Sequence, residues 1–205
     1  MCTGKCAKCI GITLYPFVVL CIICNVILFF PNFDYEYITN PKQRMTVEVM
    51  MMGGLLGGGL LVLFPAIHIQ ATGREGCCNN RCGMFLSIIF AAIGIVGAAY
   101  CFVISTLGIV HGPTCLFLNG TDEAWGTPFK DNITNFNSEN YLFDTNLWDK
   151  CEEPDNVVIF NIILFGILMG SSFIEFILCF VQMINGLFGC ICGTCGKKKQ
   201  KARAV

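Results

Sequence analysis

Three cysteines, Cys77, Cys78 and Cys82, lie close together in the polar stretch GREGCCNNRCG at residues 73–83, between two long apolar runs. Thiols at this spacing can form disulfides, bind zinc or accept acyl groups. Disulfides form outside the cell and in the lumen of the secretory pathway, whereas the cytosol keeps thiols reduced. The compartment in which this stretch lies therefore decides its chemistry, and the flanking apolar runs determine that compartment.

The composition indicates a membrane protein. Of the 205 residues, 55% are hydrophobic and only 13% are charged, which is unlike a soluble domain. A helix needs about 20 apolar residues to cross the hydrocarbon core of a bilayer. Four runs are long enough, at residues 10–30, 47–69, 84–110 and 157–190. They predict an all-α membrane protein, a four-helix transmembrane bundle whose first partner is the lipid bilayer; no basic stripe of the nucleic-acid-binding type is present.

Lysine and arginine predict the orientation of the chain. Four spans place the N-terminal segment 1–9, the connection 70–83 and the tail 191–205 on one side, and the connections 31–46 and 111–156 on the other. Nine basic residues fall on the first side and four on the second. Because basic residues favour the cytoplasmic side, we expect both termini in the cytoplasm and the 31–46 and 111–156 connections outside the cell.

Two acceptor sequons in the long connection agree with this orientation. Asn119 and Asn132 each begin an Asn-x-Thr tripeptide, and N-glycosylation occurs on the external side. Asn132 is the better candidate, because Asn119 lies close to the membrane.

The external cysteines predict one disulfide. Cys115 and Cys151 are the two cysteines on the side assigned to the exterior, and they flank the long connection. Pairing them closes a loop of 37 residues and stabilises it by roughly 3–4 kcal/mol on the chain-entropy model. The disulfide is expected to hold together a small extracellular subdomain between helices three and four.

The remaining cysteines near helix ends are predicted to face the cytoplasm, where lipid anchoring by palmitoyl groups is the leading interpretation. Zinc is the alternative, because Cys6-x-x-Cys9 and Cys192-x-x-Cys195 have ligand spacing. No cofactor or resident metal is predicted. The palmitoylation candidates are Cys2, Cys6, Cys9, Cys77, Cys78, Cys82, Cys190, Cys192 and Cys195.

Glycine pairs predict where the helices approach one another. Membrane helices associate through close backbone contact, which small residues allow. The second run contains Gly53-x-x-x-Gly57 and Gly54-x-x-x-Gly58, and the fourth contains Gly166-x-x-x-Gly170. We interpret all three as packing faces of one bundle, with self-association as an alternative that the pattern leaves open.

Polar residues inside the runs raise the question of transport. Glu175 lies within the fourth run, where a charge costs several kcal/mol, and His68 lies near the same membrane face. The two form an ion or proton site in one interpretation, which makes the protein a small transporter; in the other, Glu175 is a protonated acid bonded to a neighbour. Asn25 and Asn161 are expected to bond across helices one and four.

No catalytic arrangement is apparent, since His68 and His111 are the two histidines and no nucleophile motif is present. The protein is therefore predicted not to be an enzyme. The long connection is instead rich in aromatic residues, some of which are expected to pack inward and others to contact partners. They are Phe117, Trp125, Phe129, Phe136, Tyr141, Phe143 and Trp148.

An ordered set of segments resembles the transmembrane-four L-six antigen family. MCTGKCAKC opens the chain, ILFFPN ends the first run, GGLLGGGLLVLFPA lies in the second, and GPTCL and NYLFDTNLWDKCEEP bound the long connection; NGLFGCICGTC follows the last run. The resemblance implies a four-span surface glycoprotein of the plasma membrane, with an endosomal pool. It also implies association with integrins or tetraspanin-type microdomains, and control of adhesion, growth, migration, or partner traffic and processing.

Overall fold

Four long helices dominate the computed structural model, which describes residues 3–31, 44–72, 81–119, 122–130 and 140–192. Helix α1 covers Thr3–Leu28, α2 runs across Val47–Thr72, α3 covers Arg81–His111 and α4 covers Val157–Cys192. Each helix is long and apolar enough to cross a membrane. The predicted four-helix bundle is thus confirmed.

The helices form a closed ring around an interior that holds two apolar clusters. Helix α1 packs against α2 and α4, and α3 packs against the same two neighbours. The centre is filled largely by small and medium side chains such as Val18, Val62, Ala98 and Cys179, all of which are buried. Larger apolar residues point outward from every helix, as expected for surfaces that face lipid.

The helices extend beyond the predicted apolar runs. Helix α1 already begins at Thr3, well before residue 10, and α4 continues to Cys192. Helical hydrogen bonds are local and do not depend on the hydrocarbon core, so a polar flank such as Gly4–Lys5 can continue the helix.

Helix α2 consists of three segments. A short α-helix at Val47–Met50 is followed by a π-helix at Gly53–Leu60 and an α-helix at Leu61–Thr72. Met52, between the first two segments, has a left-handed backbone with φ 50°. Long π-helical stretches are rare and mark sites where the regular ladder is disturbed. The glycine-rich sequence GGLLGGGL allows this stretch, because without Cβ atoms it can be pressed against its neighbours.

The connection between α3 and α4 contains a small folded subdomain. Strands β1 (Cys115–Asn119) and β2 (Asp122–Gly126) form an antiparallel hairpin in which Leu116 lies opposite Trp125. A 3-10 helix at Thr145–Lys150 precedes Cys151. The predicted disulfide between Cys115 and Cys151 is confirmed, whereas the hairpin was not predicted.

Candidate functional site

The disulfide-closed subdomain packs on the start of α4. Cys115 and Cys151 have Cα atoms 5.5 Å apart, and Cys115 is buried in a cluster with Phe129 and Tyr141. Val157 and Val158, in the first turn of α4, belong to the same cluster. The loop therefore rests on the bundle as a packed unit.

The loop and α4 together complete the end of α3. The last four carbonyl groups of a helix have no partner within it. Here Asn161 Nδ2 donates to Gly108 O at 3.1 Å, and the Tyr141 hydroxyl donates to Ile109 O. Burial raises the pKa of Tyr141, which keeps the phenol protonated as a donor. Gly112 ends the helix with φ +75°, a conformation that favours glycine.

The aromatic residues of the loop divide as expected into packed and exposed groups. Phe129 and Tyr141 stack with ring centroids 4.5 Å apart, and both are buried. Trp148 Nε1 donates to Tyr141 O at 2.7 Å, so this indole is part of the loop's own packing. Phe143, by contrast, is 70% exposed and Leu118 is 58% exposed. These two side chains are the apolar surface that the described part of the loop offers.

A contact between a histidine and a carboxyl group at the loop end of the bundle was not predicted from the sequence. His111 Nδ1, at the end of α3, lies 2.6 Å from Glu48 Oε1 in the first turn of α2. Glu48 is buried although it begins a membrane-spanning helix. The sequence does place both residues at run ends on the same predicted side of the membrane. Their pairing, however, also depends on which helices are neighbours.

Glu175 of α4 lies at the point where α4 meets α1 and α2. The residue is fully buried, its Oε1 lies 3.9 Å from Cys21 Sγ of α1, and a Cβ placed on Gly58 of α2 would lie 3.1 Å from its Oε2. Oε2 has no hydrogen-bond partner among the described residues. A thiol is a weak donor, and an uncompensated charge at this depth costs several kcal/mol. The surroundings thus fit a neutral carboxylic acid.

His68 is not part of this cluster. It stacks on Phe90 with ring centroids 4.3 Å apart, near the opposite end of α2 from Glu48. Gly58, the residue of α2 beside Glu175, precedes His68 by ten positions, which is about 15 Å along a helix. The structure therefore does not bring the two side chains together, and a joint site of Glu175 and His68 stays a prediction.

Asn25 and Asn161 also differ from the expectation. They do not bond to each other across α1 and α4. Asn25 Oδ1 accepts from the backbone N–H of Leu55 at 3.1 Å, at the start of the π-helix, and Asn161 bonds to the end of α3. Each amide bonds to a backbone group that a neighbouring helix leaves unpaired. A buried backbone group without a partner is costly, so these bonds take precedence over a bond between the two side chains.

The two glycine pairs of α2 face different neighbours. A Cβ on Gly57 would lie 2.7 Å from Gly97 O, and one on Gly53 would lie 2.9 Å from Ile104 Cβ, so this pair faces α3. A Cβ on Gly54 would lie 2.7 Å from Cys21 O, and Gly58 also meets Cys21, so the second pair faces α1. The two overlapping motifs therefore allow α2 to pack closely against both α1 and α3.

The prediction for α4 is wrong within this chain. A Cβ added at Gly166 or Gly170 would have nothing within 4 Å. Helix α4 packs on α1 and α3 through other residues, among them Phe165 and Leu168, which are almost fully buried. The Gly166–Gly170 face is left on the outer surface of the bundle.

The predicted acylation and glycosylation sites are only partly within the described residues. Cys6, Cys9 and Cys82 are exposed thiols at the end of the bundle that carries the termini, and Cys190 is half-buried there. Cys192 ends α4 and Asn119 ends β1. No metal-binding group of three or more ligand side chains occurs among the described residues. Cys2, Cys77, Cys78, Cys195 and Asn132 lie outside them.

Taken together, these features define a four-span membrane protein with a disulfide-closed loop subdomain between its third and fourth helices. The family model described as L6 membrane protein matches residues 1–196. The chain belongs to this family.

Named relatives agree with the family model over nearly the whole chain. Transmembrane 4 L6 family member 4 from Mus musculus is 44% identical over 203 residues, covering 95% of this chain and 94% of its own length. Member 5 from Homo sapiens is 41% identical over 204 residues, covering 97% and 98%. Member 1 from Homo sapiens is 39% identical over 209 residues, covering 98% of each chain. No solved structure matches the chain.

Proposed function

We propose that this protein is a membrane adaptor that associates laterally with other membrane proteins and does not itself catalyse a reaction. Its partners are of the integrin or tetraspanin-microdomain type, and it modulates adhesion, growth, or the traffic and processing of those partners. It resides in the plasma membrane, with an endosomal pool and both termini in the cytoplasm. The family membership supports the class of protein; the partners are our inference.

The open glycine face of α4 carries this proposal. A Cβ added at Gly166 or Gly170 would have no neighbour within 4 Å, while Ile163 and Ile167 lie beside them on the same exposed side. Bare backbone between two larger side chains forms a shallow groove into which another membrane helix can pack closely. The same motif in α2 is already occupied by α1 and α3, so α4 is the helix with a free packing face.

The loop adds a second contact outside the membrane. Phe143 and Leu118 are exposed on a subdomain that the disulfide and the α4 cluster hold in place. Aromatic side chains held on a rigid support lose little entropy when a partner covers them. We propose this loop surface as a second contact for a partner that spans the membrane.

Transport centred on Glu175 is the alternative function, and the geometry supports it less. A proton or ion path normally recruits several polar groups. With His68 about 15 Å away along α2, Glu175 has thiols and a glycine as its near surroundings. The site fits a polar packing element better than a relay.

Filling the α4 groove is expected to weaken lateral association. We expect Gly166→Leu with Gly170→Leu to reduce the recovery of cross-linked membrane partners several-fold, because leucine holds the two backbones apart. Proximity labelling in cells, followed by cross-linking within the membrane, measures the recovery. Homodimers are scored in the same experiment from two differently tagged copies of the chain.

The matched control for this experiment is Val96→Leu with Val103→Leu, which enlarges two exposed positions on α3. These changes leave the α4 face intact and should leave partner recovery unchanged. Equal recovery from the α4 variant and the control would remove the glycine groove from the proposal.

Acylation at the terminal end of the bundle is a further expected result. Cys6, Cys9 and Cys82 are exposed thiols, whereas Cys21, Cys101 and Cys179 are buried in the core. Replacing the exposed three by serine should remove a large part of the thioester-linked label in acyl-exchange assays, while Cys179→Ser should remove none. Wild-type protein without any thioester-linked label would exclude lipid anchoring.

A further inference from the structure

A cavity of about 430 Å³ opens at the loop end of the bundle. Its wall is formed by the start of α2, the end of α3 and the base of the hairpin after β2, including Thr46, Glu48, His111, Trp125 and Lys130. A volume of this size lies in the range of small-ligand sites. The cavity is separate from Glu175 and from the glycine face of α4.

Side chains of opposite charge line this cavity. Glu48 is held by His111 at 2.6 Å on the helix side, and the Lys130 side chain is exposed on the loop side. The Glu48–His111 pair fixes one carboxylate oxygen and leaves the second for another donor, since a carboxylate has two acceptor oxygens. A ligand that carries both a cation and an anion is complementary to this wall.

A buried hydroxyl in the wall lacks a partner. Thr46 is only 6% exposed, and its Oγ1 has no hydrogen bond among the described residues. Buried polar atoms are nearly always paired, so this oxygen is an exception. It has almost no accessible surface, however, so a ligand in the cavity does not reach it unless the wall shifts. Thr114 and Thr127 line the same cavity and add hydrogen-bonding groups to its wall.

The position of the cavity indicates a lipid as the source of the ligand. Val47, which also lines it, is 61% exposed, and Met50 and Met51 continue an exposed apolar surface along α2. These residues begin the span, so the cavity lies at the depth of the headgroups, with acyl chains able to run down the outside of α2. A free solute would use the polar wall but gain nothing from this apolar surface.

We propose that the cavity binds the phosphoethanolamine headgroup of a phospholipid, with its ammonium at Glu48 and its phosphate at Lys130. A primary ammonium donates three hydrogen bonds and suits a carboxylate beside hydroxyls. Choline donates none and prefers aromatic faces, but Arg44 already lies over the Trp125 ring, 5.3 Å from its centroid. A serine headgroup adds a carboxylate that would lie against Glu48. This inference is independent of the proposed lateral association.

Native mass spectrometry of the full chain, released from nanodiscs with equal amounts of ethanolamine, choline and serine phospholipids, tests the proposal. We expect ethanolamine lipid to be retained preferentially. Lys130→Gln and Glu48→Gln should each reduce that retention about tenfold, because each removes one charge-assisted contact. The matched control is Lys150→Gln, which removes the other lysine of the loop and lies outside the cavity.

Control measurements distinguish a loss of lipid binding from a loss of loop structure. Glu48→Gln also changes the contact with His111, so the disulfide and the tryptophan emission of this variant are compared with those of wild type. Lys130→Gln leaves that contact intact and is the second, independent variant. Equal retention of the three lipids, or equal losses in Lys130→Gln and Lys150→Gln, would overturn the proposal. Binding of soluble phosphoethanolamine without retention of its lipid would overturn the lipid assignment. Competition of the soluble compound with retained lipid would support it.

Discussion

Replacing Cys115 by serine is expected to unfold the loop subdomain while the four helices stay assembled. Removing a native disulfide from a small domain costs about 2–5 kcal/mol, and the described part of this loop has only a small core around Phe129 and Tyr141 to replace it. The helices keep their own interfaces, which lie along the whole length of the bundle. The loss should therefore be confined to one end of the molecule.

Tryptophan fluorescence measures this effect directly. The two tryptophans of the chain, Trp125 and Trp148, both lie in the loop, so their emission reports the loop and not the bundle. We expect a red shift of the emission and rapid proteolysis between β2 and α4 in Cys115→Ser. Cys151→Ser should behave in the same way, and Cys190→Ser, at the other end of α4, should not. Wild-type emission and protease resistance in both loop variants would show that the disulfide is dispensable for the fold.

The bundle and the disulfide were predictable because each depends on a local or compartmental rule. Apolar runs of about 20 residues leave few alternatives to a membrane-spanning helix. Once the orientation was inferred, Cys115 and Cys151 were the two cysteines left on one side. The hairpin of β1 and β2 was not predictable in this way, because its short strands show no strict alternation of apolar and polar residues. Their pairing also depends on the disulfide and on Glu153, whose backbone pairs with that of Leu116.

The contact partners of the glycine motifs could not be predicted from the sequence. Gly57 and Gly166 belong to identical small-x-x-x-small patterns, yet one is pressed against α3 and the other faces outward. The pattern indicates that the backbone of another helix can approach closely. Which helix does so depends on the rotation of each helix about its axis in the bundle. The same limit applies to Glu48 and His111, which are 63 residues apart and pair because α2 and α3 are neighbours.

Gly57→Ala and Gly166→Ala make the same chemical change and are expected to have opposite effects. At Gly57 the new methyl group would lie 2.7 Å from Gly97 O and 3.0 Å from Cys101 N. Both atoms are backbone, so α2 and α3 must separate, at a cost of about 1–3 kcal/mol. At Gly166 nothing lies within 4 Å, and alanine should stabilise the helix by up to about 1 kcal/mol through its higher helix propensity.

The buried thiols of the core provide the measurement for this pair. Cys21, Cys101 and Cys179 are buried, so a thiol-reactive dye labels them only as the bundle opens on heating. The opening temperature of Gly57→Ala should fall below that of wild type, and that of Gly166→Ala should equal or exceed it.

The π-helix of α2 already departs from the regular hydrogen-bond ladder. It could therefore absorb the methyl group of Gly57→Ala by a shift in register that carries residue 57 away from Gly97. In that case Asn25 would lose its bond to Leu55, and an Asn25→Ala change would add little to Gly57→Ala although it destabilises the wild type. Equal opening temperatures for the two alanine variants, with additive effects of Asn25→Ala, would show that α2 and α3 are not in close backbone contact.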